Sequence, residues 1–235
     1  MTAASSISIS ILRRICNRAL CLLIVLSALP LGAAAQKKGV PEEPDTIPFL
    51  KGFAVSVNIS GPIVRALSDY GEYEAALRVN LHDEYFPIVE LGYGDCDHYE
   101  EVTEVHYKTH APYFRIGCDF NVLKNKHGPN RLYCGVRYGF TSYKVDIERY
   151  GQTDPVWGNE TDFIVDGEKC NYHWFEGVVG VSVKIMGPVH LGWNVRYRHD
   201  IAKKNIAAGK TWYVPGFGKY GSTRLGADFS VIIDI

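Results

Sequence analysis

From residue 51 onward, apolar side chains recur at every second position in eight separate segments, with small or charged side chains between them. A period of two marks a strand that shows a different environment to each face, so the chain reads as all-β. The alternating positions are Phe53, Val55, Val57 and Ile59; Tyr73, Ala75, Leu77, Val79 and Leu81; and Val89, Leu91 and Tyr93. They continue through Phe114, Ile116, Cys118, Phe120 and Val122, then Leu132, Cys134, Val136, Tyr138 and Phe140. The last three sets are Phe175, Val179, Val181, Val183 and Ile185; Val189, Leu191, Trp193, Val195 and Tyr197; and Leu225, Ala227, Phe229, Val231, Ile233 and Ile235. Ile88, Val178 and Ile232 break the rule.

Alternation alone does not say which face is inside. A soluble sandwich or lipocalin-like barrel buries the apolar parity, whereas a membrane barrel turns it to lipid. Four features favour the membrane. Connections alternate between long (60–72, 95–111, 142–172, 199–223) and shorter (82–85, 123–130, 186–188), the asymmetry of external loops and periplasmic turns. With the long loops placed on top, Tyr73, Tyr93, Phe114, Phe140, Phe175 and Tyr197 form an upper aromatic band and Phe53, Phe120 and Phe229 a lower one, as lipid interfaces favour. The other parity carries the acids Glu74, Glu90, Asp119, Glu176, Asp228 and Asp234 against the bases Arg78, Arg115, Arg137, Lys184, Arg196, Arg198 and Arg224. That near-balance, mostly in Arg, suits bidentate pairing in a confined lumen, where an open solvated face would carry more Lys. Finally, an even strand number brings both ends of the chain to one side, as closure requires.

Arg13, Arg14 and Arg18 precede an apolar run at 19–29 (ALCLLIVLSAL) and then Ala33-Ala34-Ala35. A basic start, a short apolar core and an Ala-x-Ala site predict a cleaved signal peptide over 1–35. Residues 36–50, with three prolines and no periodicity, read as a flexible periplasmic tether. Residues 51–235 then form an eight-stranded antiparallel up-and-down transmembrane β-barrel in the bacterial outer membrane. The formal net charge of −1 gives no electrostatic case for nucleic acid.

The pattern resembles the small eight-stranded outer-membrane barrels of the OmpA/OmpX type. Several stretches are more closely similar to a family of such barrels from Bacteroides-like bacteria, known as a domain of unknown function. They are YEAALRVNL (73–81), PYFRIGCDFN (112–121), GVRYGFTSYK (135–144), DPVWG (154–158), MGPVHLGWNVRYR (186–198) and WYVPGFGKYGSTRLG (212–226). The resemblance implies an outer-membrane barrel and implies no activity, cofactor or site residue. Asp45-Thr46-Ile47 also fits a short O-glycosylation motif associated with such bacteria.

Chemistry-bearing constellations are few. Asp95, Cys96, Asp97, His98, His106 and His110 are metal-ligand types, but their spacing fits no compact site. No Ser lies two positions from a strand histidine, and His190 falls on the lumen parity, so no catalytic residue is assigned. Eight strands leave no aqueous channel once charged side chains fill them. Cys118 and Cys134 face lipid as apolar thiols. Cys96 and Cys170 share the lumen parity near the upper rim, and a disulfide between them would need their Cα atoms within about 4.4–6.8 Å. The expected role is structural or surface-interacting, through external loops that include 154–158 and 212–220. The alternatives are a soluble lipocalin-like carrier of an apolar ligand and an outer-membrane lipid-modifying enzyme.

Overall fold

The computed structural model describes residues 48–153, 160–204 and 210–235. The signal-peptide segment, nearly all of the tether with Thr46, and the 154–158 stretch lie outside the described residues.

The elements in chain order are β1 (Leu50–Asn58), α1 (Ser60–Leu67), β2 (Tyr70–Leu81), β3 (Tyr85–Glu100), β4 (Val105–Asn121), β5 (Arg131–Thr153), β6 (Glu160–Met186), β7 (Val189–Lys204), β8 (Tyr213–Val214), β9 (Gly218–Lys219) and β10 (Thr223–Asp234). Eight of them close a ring in the order β1-β10-β7-β6-β5-β4-β3-β2, every neighbouring pair antiparallel. β8 and β9 form a separate two-residue hairpin. This is the expected eight-stranded up-and-down barrel.

The alternation maps onto the two sides of the wall. On β4, Ile116 is 60% exposed outside while its neighbour Arg115 is 1% exposed inside. Val136, Val179, Val195 and Val57 continue the exposed apolar surface around the ring. Ile88, Val178 and Ile232, which break the sequence rule, are buried inside the ring. Glycine on the interior parity makes room for a large partner. Gly139 lies directly across from Trp174, and a Cβ there would sit 2.3 Å from the indole.

Three expectations are corrected. The long connections at 95–111 and 142–172 are mostly strand. β3 and β4 pair as far as Glu100 and Val105, and β5 and β6 as far as Thr153 and Glu160. At 23 and 27 residues, β5 and β6 far exceed the roughly 9–11 that cross a bilayer, so their hairpin stands well above the barrel rim. The reason is a change of parity. The run of outward apolar residues breaks after Phe140, where Ser142 and Lys144 are exposed, and Tyr143, Val145 and Ile147 point inward, into an apolar cluster with Cys170, Tyr172, Trp174, Val214 and Phe217. Second, the 60–72 connection contains the helix α1. Asn58 Oδ1 accepts from Gly61 N at 3.3 Å and from Ser60 Oγ at 2.7 Å, securing its start. Third, the 212–220 segment is not an outer contact surface. Tyr213, Val214 and Phe217 are fully buried, so this connection folds inward as a plug.

Candidate functional site

The interior is layered. At the lower end, the β2–β3 turn holds Asp83 through Lys51 Nζ at 2.5 Å, Asn80 Nδ2 at 2.8 Å and His127 Nδ1 at 2.9 Å. Burial alone would raise the Asp83 carboxyl, but these hydrogen bonds and the Lys51 charge hold it below the ordinary range. Nearby, Asp234 takes Arg131 at 2.9 Å and His190 Nε2 at 3.2 Å.

The middle layer is a set of ion pairs built by register. Glu90 lies directly across from Arg115, and Glu176 from both Arg137 and Arg198. The side chains then reach across the lumen as well as along the wall. Glu90 receives Arg196 at 2.7 Å, Arg137 at 2.9 Å and Arg115 at 3.2 Å. Glu74 takes Arg115, Arg196 at 3.0 Å and the Tyr113 hydroxyl at 2.8 Å. Glu176 meets Arg115 at 2.9 Å, Arg198 at 3.3 Å and the Trp174 indole N–H at 2.6 Å. Asp119 bridges Arg78 at 2.8 Å and Arg137 at 3.1 Å, and Asp228 pairs with Arg196. Between Glu74, Arg78, Glu90, Arg196 and Asp228 lies a cavity of about 10 Å³, about what one water needs.

Two residues of the expected network stand apart. Lys184 is exposed near the lower end, outside the ring's buried layer. Arg224 sits at the upper rim, where its Nε donates to the Lys219 carbonyl at 2.8 Å. Other members were not anticipated. Tyr113 and Trp174 share the lumen parity with Arg115 and Glu176, two residues away, and that spacing was their signal in the sequence.

The top layer is the plug. Arg115 Nη2 donates to Gly216 O at 2.6 Å and Arg198 Nη1 to Phe217 O at 3.1 Å, so the ion-pair layer also holds the plug backbone. Phe217 packs on Tyr172 with centroids 4.8 Å apart. Above it, Trp212 stacks on His98 at 3.8 Å, and His98 Nδ1 lies 2.7 Å from Asp69. His106 pairs with Asp97 at 2.5 Å. Among the described residues no three His, Cys, Asp or Glu side chains gather as a metal site. The Cys96–Cys170 bridge does not form. Both thiols are free, on β3 and β6, which β4 and β5 separate in the ring. Cys118 and Cys134 are also free.

The sequence profile of DUF6048, a domain of unknown function, matches residues 15–234. This chain belongs to the DUF6048 family. No curated protein matches it. Solved structures similar to this DUF6048 chain include Neisserial surface protein A, at 12% identity and TM-score 0.39, covering 78% of this chain and 94% of that one. A major outer membrane protein from Thermus thermophilus is similar at 14% identity and TM-score 0.40, covering 78% and 98%. Ail, the attachment invasion locus protein of Yersinia pestis, solved in complex with the heparin analogue sucrose octasulfate, is similar at 10% identity and TM-score 0.36, covering 78% and 93%.

Proposed function

We propose that this chain is an exported outer-membrane β-barrel, closed inside by ion pairs and by its own in-folded loop, with a structural or surface-interaction role and no catalysis. The observation that carries this reading is the inverted polarity of the wall. Val136 is 61% exposed on the outside, while Arg115, Arg137, Glu90 and Glu176 are each 1% exposed inside. A belt of apolar side chains around a charged interior is stable when hydrocarbon surrounds it. A carrier of an apolar ligand needs an apolar cavity, and the remaining space in the lumen centre is far too small for one. Contact with partners falls to the β3–β4 and β5–β6 hairpins, which extend beyond the ring and carry Tyr99, Tyr150, Phe163 and Ile164 exposed. Loops and hairpins on a rigid scaffold are where recognition concentrates.

Cell fractionation with gel mobility tests the reading. Recovery in the outer-membrane fraction, with mobility that changes on boiling, is expected. Recovery as a soluble periplasmic protein overturns it.

A further inference from the structure

The barrel wall has an opening on one side. On β10, Phe229 turns its backbone toward the end of β1: its carbonyl accepts from Ile59 N at 2.8 Å and its N–H donates to Ser60 Oγ at 3.3 Å. Backbone groups alternate sides along an antiparallel strand, so Ala227 and Leu225 aim theirs the same way. At their level β1 has already given way to α1, and among the described residues neither has a ladder partner on that edge. α1 does not fill the gap, because it leans on β2. A Cβ at Gly61 would lie 1.8 Å from Glu72 O. What remains between α1 and β10 is a cleft of about 240 Å³.

Its position and chemistry are specific. Leu225 pairs with Tyr197 of the upper aromatic band, so the cleft opens at the height of a lipid headgroup region. Its lip is apolar, with Val64 and Leu225 exposed. Its interior is polar. The two carboxylates there are engaged: Asp228 by Arg196, and Glu72 by the Tyr213 hydroxyl at 3.1 Å. Arg224 and Lys219 line the same cleft and pair with no carboxylate among the described residues. Unpaired backbone at an edge is not left facing hydrocarbon. The occupant must therefore offer polar atoms to that edge, negative charge to the two cations and an apolar tail to the lip.

We propose that this lateral cleft is a binding site for a membrane lipid with a phosphate-bearing anionic headgroup, seated between α1 and β10 with its acyl chains in the surrounding bilayer. The inference rests on the outer-membrane reading above.

The test is native mass spectrometry of the full mature chain, folded in detergent and offered phosphatidylglycerol, phosphatidylcholine or inorganic phosphate. Retention of phosphatidylglycerol at least about fivefold above phosphatidylcholine supports the site, since one surface cation changes affinity for an anionic lipid by roughly that factor. Arg224→Gln should reduce the preference about fivefold. Gly226→Leu should abolish retention, because a Cβ at Gly226 comes no closer than 3.6 Å to Arg198 and the longer side chain occupies the cleft. Heat-modifiable mobility verifies that each variant is folded, and the wild-type comparison and Arg224→Gln stand if Gly226→Leu does not fold. Equal retention of the two lipids, or retention unchanged in Arg224→Gln, overturns the proposal. Binding of inorganic phosphate with no lipid preference overturns it in favour of a soluble-anion site. A chain that enters neither micelle nor bilayer fails at the outer-membrane reading itself.

Discussion

Arg115 ties three strands and the plug together from its place on β4. Its guanidinium touches Glu74 on β2, Glu90 on β3, Glu176 on β6 and the plug carbonyl of Gly216. Removing one partner of a buried ion cluster leaves the others desolvated and unpaired, at a cost of about 3–5 kcal/mol. Arg115→Ala should lower unfolding free energy by about that amount in denaturant titrations of protein in lipid vesicles. A loss below about 1 kcal/mol would mean a wet, screened interior. Asp83 contributes a pH dependence. Its carboxyl is held below the ordinary value by Lys51, Asn80 and His127 against the effect of burial. A lowered folded-state pKa contributes stability that is fully present above the unfolded value of about 3.9 and lost as pH falls through the folded one. Unfolding free energy should therefore fall between about pH 4 and the lower folded pKa. Asp83→Asn should flatten that slope, and an unchanged slope would remove Asp83 from the account.

The plug is the element whose fold departs most from its sequence. Aromatic and glycine-rich, 212–220 has the composition of an exposed contact loop. It is instead held inside by two arginine–carbonyl bonds and by Phe217 against Tyr172. Gly216 permits this, because its φ of +80° lies in the left-handed region and a Cβ there would meet Tyr113 at 2.5 Å. Gly216→Val should cost about 1–3 kcal/mol in strain and release the segment. The readout is limited proteolysis, in which new cuts between residues 211 and 218 are expected. Resistance equal to the wild type would show that the plug tolerates a side chain there. β4 shows a smaller departure. Pro112 cannot donate, and the ladder to β5 breaks between the Thr109–Val145 and Tyr113–Thr141 pairs. Two threonines repair it: Thr109 Oγ1 donates to Lys144 O at 3.1 Å, and Thr141 Oγ1 to Pro112 O at 2.9 Å.

At the scale of the whole molecule, the apolar exterior and the ionic interior define one environment. Val136 lies on the outer face, paired with Cys118, which sits between Phe114 of the upper aromatic band and Phe120 of the lower one on β4. Val136→Arg should cost about 2–4 kcal/mol in vesicles if that face meets the bilayer midplane. Folding unchanged by this substitution would place the face in water. The ring has no free lower edge among the described residues, since β1 and β10 pair from Asn58–Ser230 down to Ala54–Asp234. Its unpaired stretch of wall lies higher, beside α1, where the lipid cleft is proposed.

What the sequence by itself determined is the strand count and the antiparallel up-and-down order of the strands. Those follow from a local period of two repeated under one constraint on every strand, so any stretch of about ten residues declares it. Tertiary structure decided the rest. Above the ring the run of outward apolar positions breaks and apolar side chains occur on both faces, so 95–111 and 142–172 lose the single-parity signal and read as loops. Which acid meets which base depends on closure of the ring. Arg196 and Glu74 are 122 residues apart in the chain and 3.0 Å apart in space. The inward turn of 211–220 depends on carbonyls finding Arg115 and Arg198, and the free thiols of Cys96 and Cys170 on two intervening strands. A shared parity says which way a side chain points. Only the closed ring says how far apart two inward-pointing groups lie.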